Sequence, residues 1–230
     1  DADQDAAERP HRPIPSGRIA RPTALRVSGF LLACGMVLTA TVSAQALLVA
    51  TTIFSSVIFY NLLKQTQLAP PMMGLCRAFN LLLGMYGLET LLPLPATRPM
   101  GVMFLYVTSL TIFARKEAQG GSWTRLLLGT AGISAAVLGL WGFRWYGYNA
   151  RYGEYRYVAT VMLAAALYVG IAVSLRPSPQ RIQLAVKSYV MGIILLDACI
   201  AWVSAGPLAA LGVAALLIPC ILLARFLRVT

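Results

Sequence analysis

The sequence predicts an all-α protein, a polytopic bundle of transmembrane helices, and two observations lead to this prediction. Hydrophobic residues make up 58% of the 230-residue chain, whereas only 12% of the residues are charged. An ordinary soluble domain carries about a quarter charged residues, so this composition excludes the soluble globular class. The apolar residues are also gathered into runs close to the length of about 20 residues that crosses a bilayer.

Eight apolar runs approach this length, and each is predicted to be a helix. An open strand in hydrocarbon would leave backbone amides and carbonyls unpaired, which costs several kcal/mol for each group. The spans are predicted at 24–44, 46–63, 71–92, 99–114, 124–143, 157–175, 187–203 and 207–224. The last two are divided near Pro207 and could instead form one broken helix. Because the loops are short, one membrane-embedded domain is expected over residues 1–230.

Lysine and arginine residues predict the orientation of this bundle. Fourteen of them flank the spans on the side of the N-terminal segment, four lie on the opposite side, and Arg77 lies within a span. Cytoplasmic loops of membrane proteins carry an excess of these residues, so the N-terminal segment is predicted to be cytoplasmic. The net charge of +11 is thus a topology signal. A nucleic-acid partner is not expected, because it needs basic residues gathered into one patch.

Other residue types exclude several classes of site. The four cysteines lie in apolar runs without CxxC spacing, so neither a zinc site nor a disulfide framework is predicted. The single histidine, His11, excludes an HExxH site, and the chain has no GxxxxGK phosphate loop. On the fifth span, Gly132, Ala135, Ala136 and Gly139 predict close helix packing, because small residues let helix backbones approach each other.

The first residues carry a candidate metal and phosphate site. Asp1 and Asp5 are four apart, and on one helix face two carboxylates repel unless a cation lies between them. Magnesium prefers one or two carboxylates together with waters and phosphate oxygens. Basic residues that could bind a diphosphate by charge-assisted hydrogen bonds follow directly, namely Arg9, His11, Arg12, Arg18 and Arg21. The alternative is a solvated loop whose arginines only fix topology, and the spacing does not decide between the two.

This segment resembles the latter part of the first motif of the UbiA superfamily of intramembrane prenyltransferases. That motif runs NDxxDxxxD and is commonly followed by RPxRPIPSG, and here Asp1 and Asp5 are followed by RPHRPIPSG at 9–17. The resemblance implies that both aspartates bind Mg²⁺ in a bacterial plasma membrane protein. It also implies that two helices precede the segment, so we expect the domain to be truncated at its N-terminus.

Further along the chain the resemblance continues, with one departure. Tyr60, Asn61 and Lys64 lie where family members carry Tyr and Lys at the cytoplasmic end of the fourth helix, and Lys64 is implied to face the diphosphate. The family has a second DxxxD motif in the loop that corresponds to 114–123. This chain has ARKEAQGG there, with Glu117 as its one carboxylate. Together with MGLCRAFNLLLGM at 73–85, the departure resembles the EboC-like branch, which is associated with handling or export of secondary metabolites.

Arg77 is a charge in the middle of a predicted span. Such a charge costs about 2.5 to 3.5 kcal/mol, and residues of this kind usually face a cavity. Asn80 follows three residues later and shares its helix face. We predict that both line an internal cavity and orient an acceptor molecule. The alternatives are that Arg77 pairs with Glu89 or Asp197 or snorkels to the interface, and that Asn80 bonds a neighbouring helix.

Two functions follow from these observations. The first is a prenyltransferase that uses Mg²⁺, a prenyl diphosphate and a small acceptor in membrane lipid. Its implied catalytic residues are Asp1, Asp5 and Lys64, with Asp1 and Asp5 as metal ligands. Its implied substrate contacts are Arg9, Arg12, Tyr60, Asn61, Arg77, Asn80, Arg115 and Glu117. The second is a non-catalytic UbiA-like scaffold or binding component, which the degenerate second motif favours.

Overall fold

α-Helices make up most of the described chain, which a computed structural model gives for residues 5–7, 10, 12–85, 94–115, 122–142 and 153–226. The helices are α1 (Arg21–Val42), α2 (Ala44–Leu63), α3 (Ala69–Met85), α4 (Leu94–Ala114), α5 (Trp123–Gly142), α6 (Tyr155–Leu175), α7 (Pro179–Ala205), α8 (Pro207–Ala215) and α9 (Leu217–Phe226). Five of them, α1, α2, α5, α6 and α7, are long and apolar enough to cross a membrane. The predicted all-α polytopic bundle is confirmed.

The observed helices begin within five residues of the predicted spans, with α7 as the exception. The span predicted at 187–203 begins instead at Pro179. Ser178 caps this helix, because its hydroxyl accepts a hydrogen bond from the Arg181 amide at 3.3 Å, and proline suits the first helical position. The run at 207–224 is two helices divided at Leu216. Pro219 explains the division, since it has no N–H for the carbonyl four residues earlier.

Successive helices pack side by side and alternate in direction, so their connections fall at two ends of the bundle. We call the end with the N-terminal segment, the 64–68 loop and Arg115 the motif end, and the end with Ser43 and Gly206 the distal end. At the motif end, Arg115 Nη1 donates to Gln67 Oε1 and Arg115 Nη2 donates to the Gln65 carbonyl, each at 3.1 Å. These bonds hold the end of α4 against the loop between α2 and α3.

At the distal end, the chain turns back on itself after α7. Gly206 lies between α7 and α8 with φ of 93°, a left-handed conformation that glycine adopts without steric cost. α8 packs against α7 after this turn. The last two apolar runs are therefore separate elements that form a helical hairpin, and the alternative of one continuous broken helix is wrong.

Helix α4 lies between α3, α5 and α7, and glycines set its closest contacts. A Cβ atom added at Gly74 of α3 would lie 2.8 Å from the Phe104 carbonyl of α4, and one added at Gly132 of α5 would collide with the Ser109 side chain. A Cβ atom at Gly139 would touch a Val102 methyl group at 3.5 Å. The packing role predicted for Gly132 is confirmed, whereas a Cβ atom at Gly139 would make only an ordinary van der Waals contact.

Two tyrosines join α4, α7 and α6 by hydrogen bonds. Tyr106 Oη donates to the Tyr189 carbonyl at 2.8 Å, and Tyr189 Oη donates to the Ala166 carbonyl at 2.9 Å. The Phe113 ring meets the Tyr189 ring edge-on, with ring centroids 5.2 Å apart. Both tyrosines are buried, where a hydroxyl needs a partner. This tyrosine pair, Tyr106 and Tyr189, fixes α7 against α4.

Enlarging Gly132 should separate α4 from α5. We expect Gly132→Leu to lower the stability of the folded protein in detergent by about 1 to 3 kcal/mol, the usual cost of overpacking. The measurement is the midpoint of thermal aggregation, followed by fluorescence-detected size-exclusion chromatography. Gly101→Leu is the matched control, because nothing lies within 4 Å of a Cβ atom at Gly101 on α4. Equal midpoints for the two variants would contradict the packing assignment.

The alternation of helices predicts which loops share a side of the membrane. Single cysteines placed at Thr66 and Ser178, in a background without the native cysteines, should react with a membrane-impermeant maleimide from the same side. A cysteine at Ser43 should react from the other side. Labelling of residues 66 and 178 from opposite sides in sealed vesicles would reject this topology.

Candidate active site

The turn that precedes α1 holds Asp5 and Arg12 together. Arg12 Nη1 donates to both carboxylate oxygens of Asp5, each at 2.9 Å. The Ser16 amide donates to the Arg12 carbonyl at 2.9 Å, and Gly17 adopts a left-handed φ of 75°. The RPIPSG segment thus forms a compact turn that directs Arg12 back to Asp5. Both side chains stay partly exposed, at 38% for Arg12 and 21% for Asp5.

The Asp5 carboxylate has the chemistry of a ligand for a divalent cation. Magnesium keeps several waters and binds through one or two carboxylates plus substrate phosphates, and a partly exposed carboxylate fits such a donor set. Because an exposed ion pair is worth only about 0 to 1 kcal/mol, a cation can displace Arg12 at small cost. In the described ranges no group of three His, Cys, Asp or Glu residues could hold a metal by itself.

Three predicted site residues, Asp1, Arg9 and Glu117, lie outside the described residues. Their contacts with the metal or with substrate stay predictions. Two of these residues, Asp1 and Glu117, carry the further carboxylates that were predicted at the motif end beside Asp5.

The 64–68 loop brings two predicted cationic residues to one end of the bundle. Lys64 is the C-terminal cap of α2, and Arg115 is bound by the side chain of Gln67 and the carbonyl of Gln65. Sequence reasoning missed both glutamines, because an amide in a short polar loop has no spacing signal that would single it out. The convergence of Asp5 with Lys64 and Arg115, which the resemblance implies, stays a prediction.

The other two residues predicted near Lys64 lie on the last turns of α2. Asn61 is exposed, and its Nδ2 donates to the Val57 carbonyl of the same helix at 2.9 Å. Tyr60 is half-buried. The Asn61 amide is thus engaged locally, so a contact with substrate would exchange this hydrogen bond for another.

A cavity of about 520 Å³, which we call the central cavity, lies between α3, α4 and α7. Arg77 and Asn80 line it from α3, Met103 from α4, and Asp197 from α7. Both α3 residues therefore line a cavity, and both are exposed in the structure. That this cavity is internal and closed to lipid stays a prediction. The part of Arg77 and Asn80 in binding a substrate stays a prediction as well.

Side chains of opposite charge line the central cavity, Arg77 from α3 and Asp197 from α7. Among the residues that the structure describes, however, the ion pair closer than 4.0 Å is that of Arg12 with Asp5. The alternative of a contact ion pair between Arg77 and Asp197 is therefore wrong, and the other partner considered for Arg77, Glu89, lies outside the described residues. A charged group in hydrocarbon needs a polar partner, which water or a ligand supplies in a cavity.

The central cavity is displaced from the motif end toward the distal end. An α-helix rises 1.5 Å per residue, so Arg77 lies about 12 Å along α3 from Ala69. Met103 lies about 18 Å along α4 from Arg115. The part of the central cavity that Arg77 lines is thus the part nearest to Lys64 and Arg115 at the motif end.

A second cavity of about 540 Å³, which we call the α1 groove, runs between α1 and the pair α2 and α3. It extends along α1 from Leu25 to Thr39, about 21 Å at 1.5 Å per residue. Its lining is mostly apolar, and α1, which is described throughout, buries none of its residues. Asn80 lines both this groove and the central cavity, so the two spaces meet at that residue.

The sequence matches one known family over most of its length. The UbiA prenyltransferase family matches residues 1–191, which include the turn of Asp5 and Arg12, Lys64 and Arg115. Asp197 and α8 lie beyond the match. Neither curated proteins nor solved structures give a match. Members of the family generally use divalent metal ions. With 191 of 230 residues matched and five helices able to cross a membrane, the chain is an integral membrane protein that belongs to the UbiA prenyltransferase family.

Proposed function

We propose that the protein transfers a prenyl group from an isoprenoid diphosphate to a small acceptor within the membrane. The family match over residues 1–191 carries this proposal, because it begins at the aspartate and arginine segment and includes both cationic loops. The arginine and lysine distribution supports a cytoplasmic motif end, and the proposal places the protein in a bacterial plasma membrane.

The diphosphate binds at the motif end in this proposal. Arg12, Lys64 and Arg115 supply positive charge, and Arg115 is already fixed by the 64–68 loop, so it needs no reordering when charge develops on the leaving group. Bound at Asp5, and at Asp1 outside the described residues, Mg²⁺ would neutralise the leaving diphosphate. The Arg12 guanidinium, released from Asp5, then turns to the phosphate oxygens, which it can bind in the same planar geometry. Arg9, Tyr60, Asn61 and Glu117 complete the proposed contacts.

The two cavities accommodate the rest of the substrates. The α1 groove begins one turn inside α1 and is apolar, which suits the isoprenoid tail. The central cavity takes the acceptor, with Arg77 and Asn80 as its orienting groups. Because the two spaces meet at Asn80, the isoprenoid tail and the acceptor come into contact between the helices.

A second candidate function is a non-catalytic scaffold or binding protein of the EboC-like kind. One observation favours it. The loop that begins at Arg115 reads Arg115, Lys116, Glu117, where the family's second aspartate pair is expected, and the 64–68 loop already binds Arg115. A protein of this kind would bind an isoprenoid diphosphate through its cationic loops without releasing diphosphate from it.

Replacement of Asp5 tests the catalytic proposal. We expect Asp5→Asn to lower Mg²⁺-dependent diphosphate release at least about tenfold, which corresponds to about 1.4 kcal/mol of lost transition-state stabilisation. The assay titrates Mg²⁺ against prenyl diphosphates of several lengths. Glu154→Gln is the matched control, because it removes an exposed carboxylate at the distal end. Tight donor binding that is indifferent to Mg²⁺ and to Asp5 would favour the scaffold function.

Filling the α1 groove tests where the isoprenoid tail lies. A Cβ atom at Gly35 would have nothing within 4 Å, so Gly35→Phe should fold and place its ring in the groove. We expect turnover of long donors to fall while short donors are spared, because only long tails reach this level. Gly212→Phe on α8, which also has open space, is the control. An equal loss for short and long donors would place the tail elsewhere.

A further inference from the structure

Asp197 is a charged residue of the central cavity that the mechanism above does not use. It lies in α7 beyond the part of the chain that the UbiA family matches. It lines the same cavity as Arg77 and Asn80. Ser204, further along α7, also lines this cavity. Ser204 donates to the Ile200 carbonyl of its own helix at 2.9 Å. Asp197 is thus the anionic group of this cavity wall.

Of the described residues that line the cavity, Arg77 is positive and Asp197 is negative, so their charges balance. Among the described residues, neither the Arg77 side chain nor the Asp197 side chain has a hydrogen bond or an ion pair closer than 4.0 Å. The Asn80 side chain likewise makes no hydrogen bond to another described residue. Each group therefore keeps its bonding capacity for whatever occupies the cavity. Two unit charges 4 Å apart interact by about 4 kcal/mol at an effective dielectric constant of 20, so the charge of an occupant matters strongly here.

A ligand with a net charge would be attracted by one of the two charged residues, Arg77 or Asp197, and repelled by the other. An anion at Arg77 leaves Asp197 facing a like charge, and a cation at Asp197 does the same to Arg77. A ligand with separated opposite charges satisfies both walls and adds no net charge to the membrane interior, where an unbalanced charge is costly. The remaining lining includes Leu81, Ile193 and Val213, which suits an apolar body attached to such a head.

We propose that the central cavity recognises a zwitterionic amphiphile, with its anionic group at Arg77 and Asn80 and its ammonium group at Asp197. This inference rests on the proposed function, since it names the chemical class of the acceptor bound at that site. A membrane lipid with such a head and a free zwitterion share this chemistry. The apolar lining and the position within the bundle favour the lipid source. The proposal concerns recognition of the head and adds no chemical step to the transfer.

Binding of four probes to the purified full chain in maltoside detergent tests the proposal. Three probes share a dodecyl tail and differ in the head: phosphoethanolamine (zwitterionic), phosphate (anionic) and amine (cationic). The fourth is free phosphoethanolamine as its methyl phosphodiester, which keeps the same zwitterionic head without a long tail. Isothermal titration without Mg²⁺ and without prenyl diphosphate gives the affinities. The wild type should bind the tailed zwitterion at least about tenfold more tightly than either charged probe, which is about 1.4 kcal/mol.

Single substitutions should switch this preference in opposite directions. Asp197→Asn leaves Arg77 and should make the phosphate probe the tightest ligand, whereas Arg77→Gln should make the amine probe the tightest. Exchange of the two charges, Arg77→Asp with Asp197→Arg, should restore preference for the zwitterion. Because this double variant keeps one positive and one negative residue, it shows whether the altered preferences of the single variants come from charge or from misfolding. Arg176→Gln, an exposed charge at the motif end, is the control and should leave the order unchanged.

Several results would overturn the proposal. One is the same order of affinities in the wild type and both single variants, and another is tightest binding of a charged probe by the wild type. Equal affinity for free and tailed phosphoethanolamine would reject the lipid source. These outcomes are separable from a failure of the transferase proposal, because that proposal is tested by Mg²⁺-dependent diphosphate release at the motif end.

Discussion

The hydrogen bond from Tyr106 to the Tyr189 carbonyl is the constraint on which the site depends. Hydrocarbon offers no water to a hydroxyl, so Tyr106 must reach its partner, and a Cβ atom at Gly192 would collide with that hydroxyl. This contact sets how far α7 stands from α4. The central cavity opens just beyond it, since Met103 and Ile193 line the cavity one turn from each tyrosine. Loss of the tyrosine contact would move the wall that carries Asp197.

Two sets of charges behave differently because their surroundings differ. The pair of Arg12 and Asp5 is partly exposed, and an exposed pair contributes only about 0 to 1 kcal/mol. Its members can exchange partners for a cation and a phosphate at small cost. Asp197 lies in α7, one of the five helices long and apolar enough to cross a membrane, and Arg77 lines the same cavity from α3. An unpartnered charge in hydrocarbon is expensive. Arg12 and Asp5 are therefore suited to exchanging binding partners, whereas Arg77 and Asp197 are suited to selecting which molecules bind in the central cavity.

The sequence predicted those features that depend on local composition. Apolar runs predicted the helices, and the charge in the middle of a span predicted that Arg77 faces a cavity. Features that depend on residues far apart were not predictable. Nothing near Arg115 indicates that Gln65 and Gln67 bind it. The sequence indicates Asp197, 120 residues from Arg77, only as one of two possible ion-pair partners and not as a residue of the same cavity. The early start of α7 was missed because its first turns are polar, so hydropathy did not register a helix that Ser178 and Pro179 begin.

The depth of the central cavity constrains how the two substrates could meet. In a prenyl diphosphate the reacting carbon is bonded to the diphosphate oxygen, so in the proposed arrangement it stays near the motif end. An acceptor bound at Asn80, about 16 Å along α3 from Ala69, must therefore extend toward that end. Arg77 lies one turn closer to the motif end. Helical side chains lean toward the N-terminus of their helix, which for α3 is the motif end, so the guanidinium lies nearer to the motif end than its backbone does. In the proposed arrangement Arg77 therefore lies between the donor head and the acceptor, and its charge connects the two halves of the site.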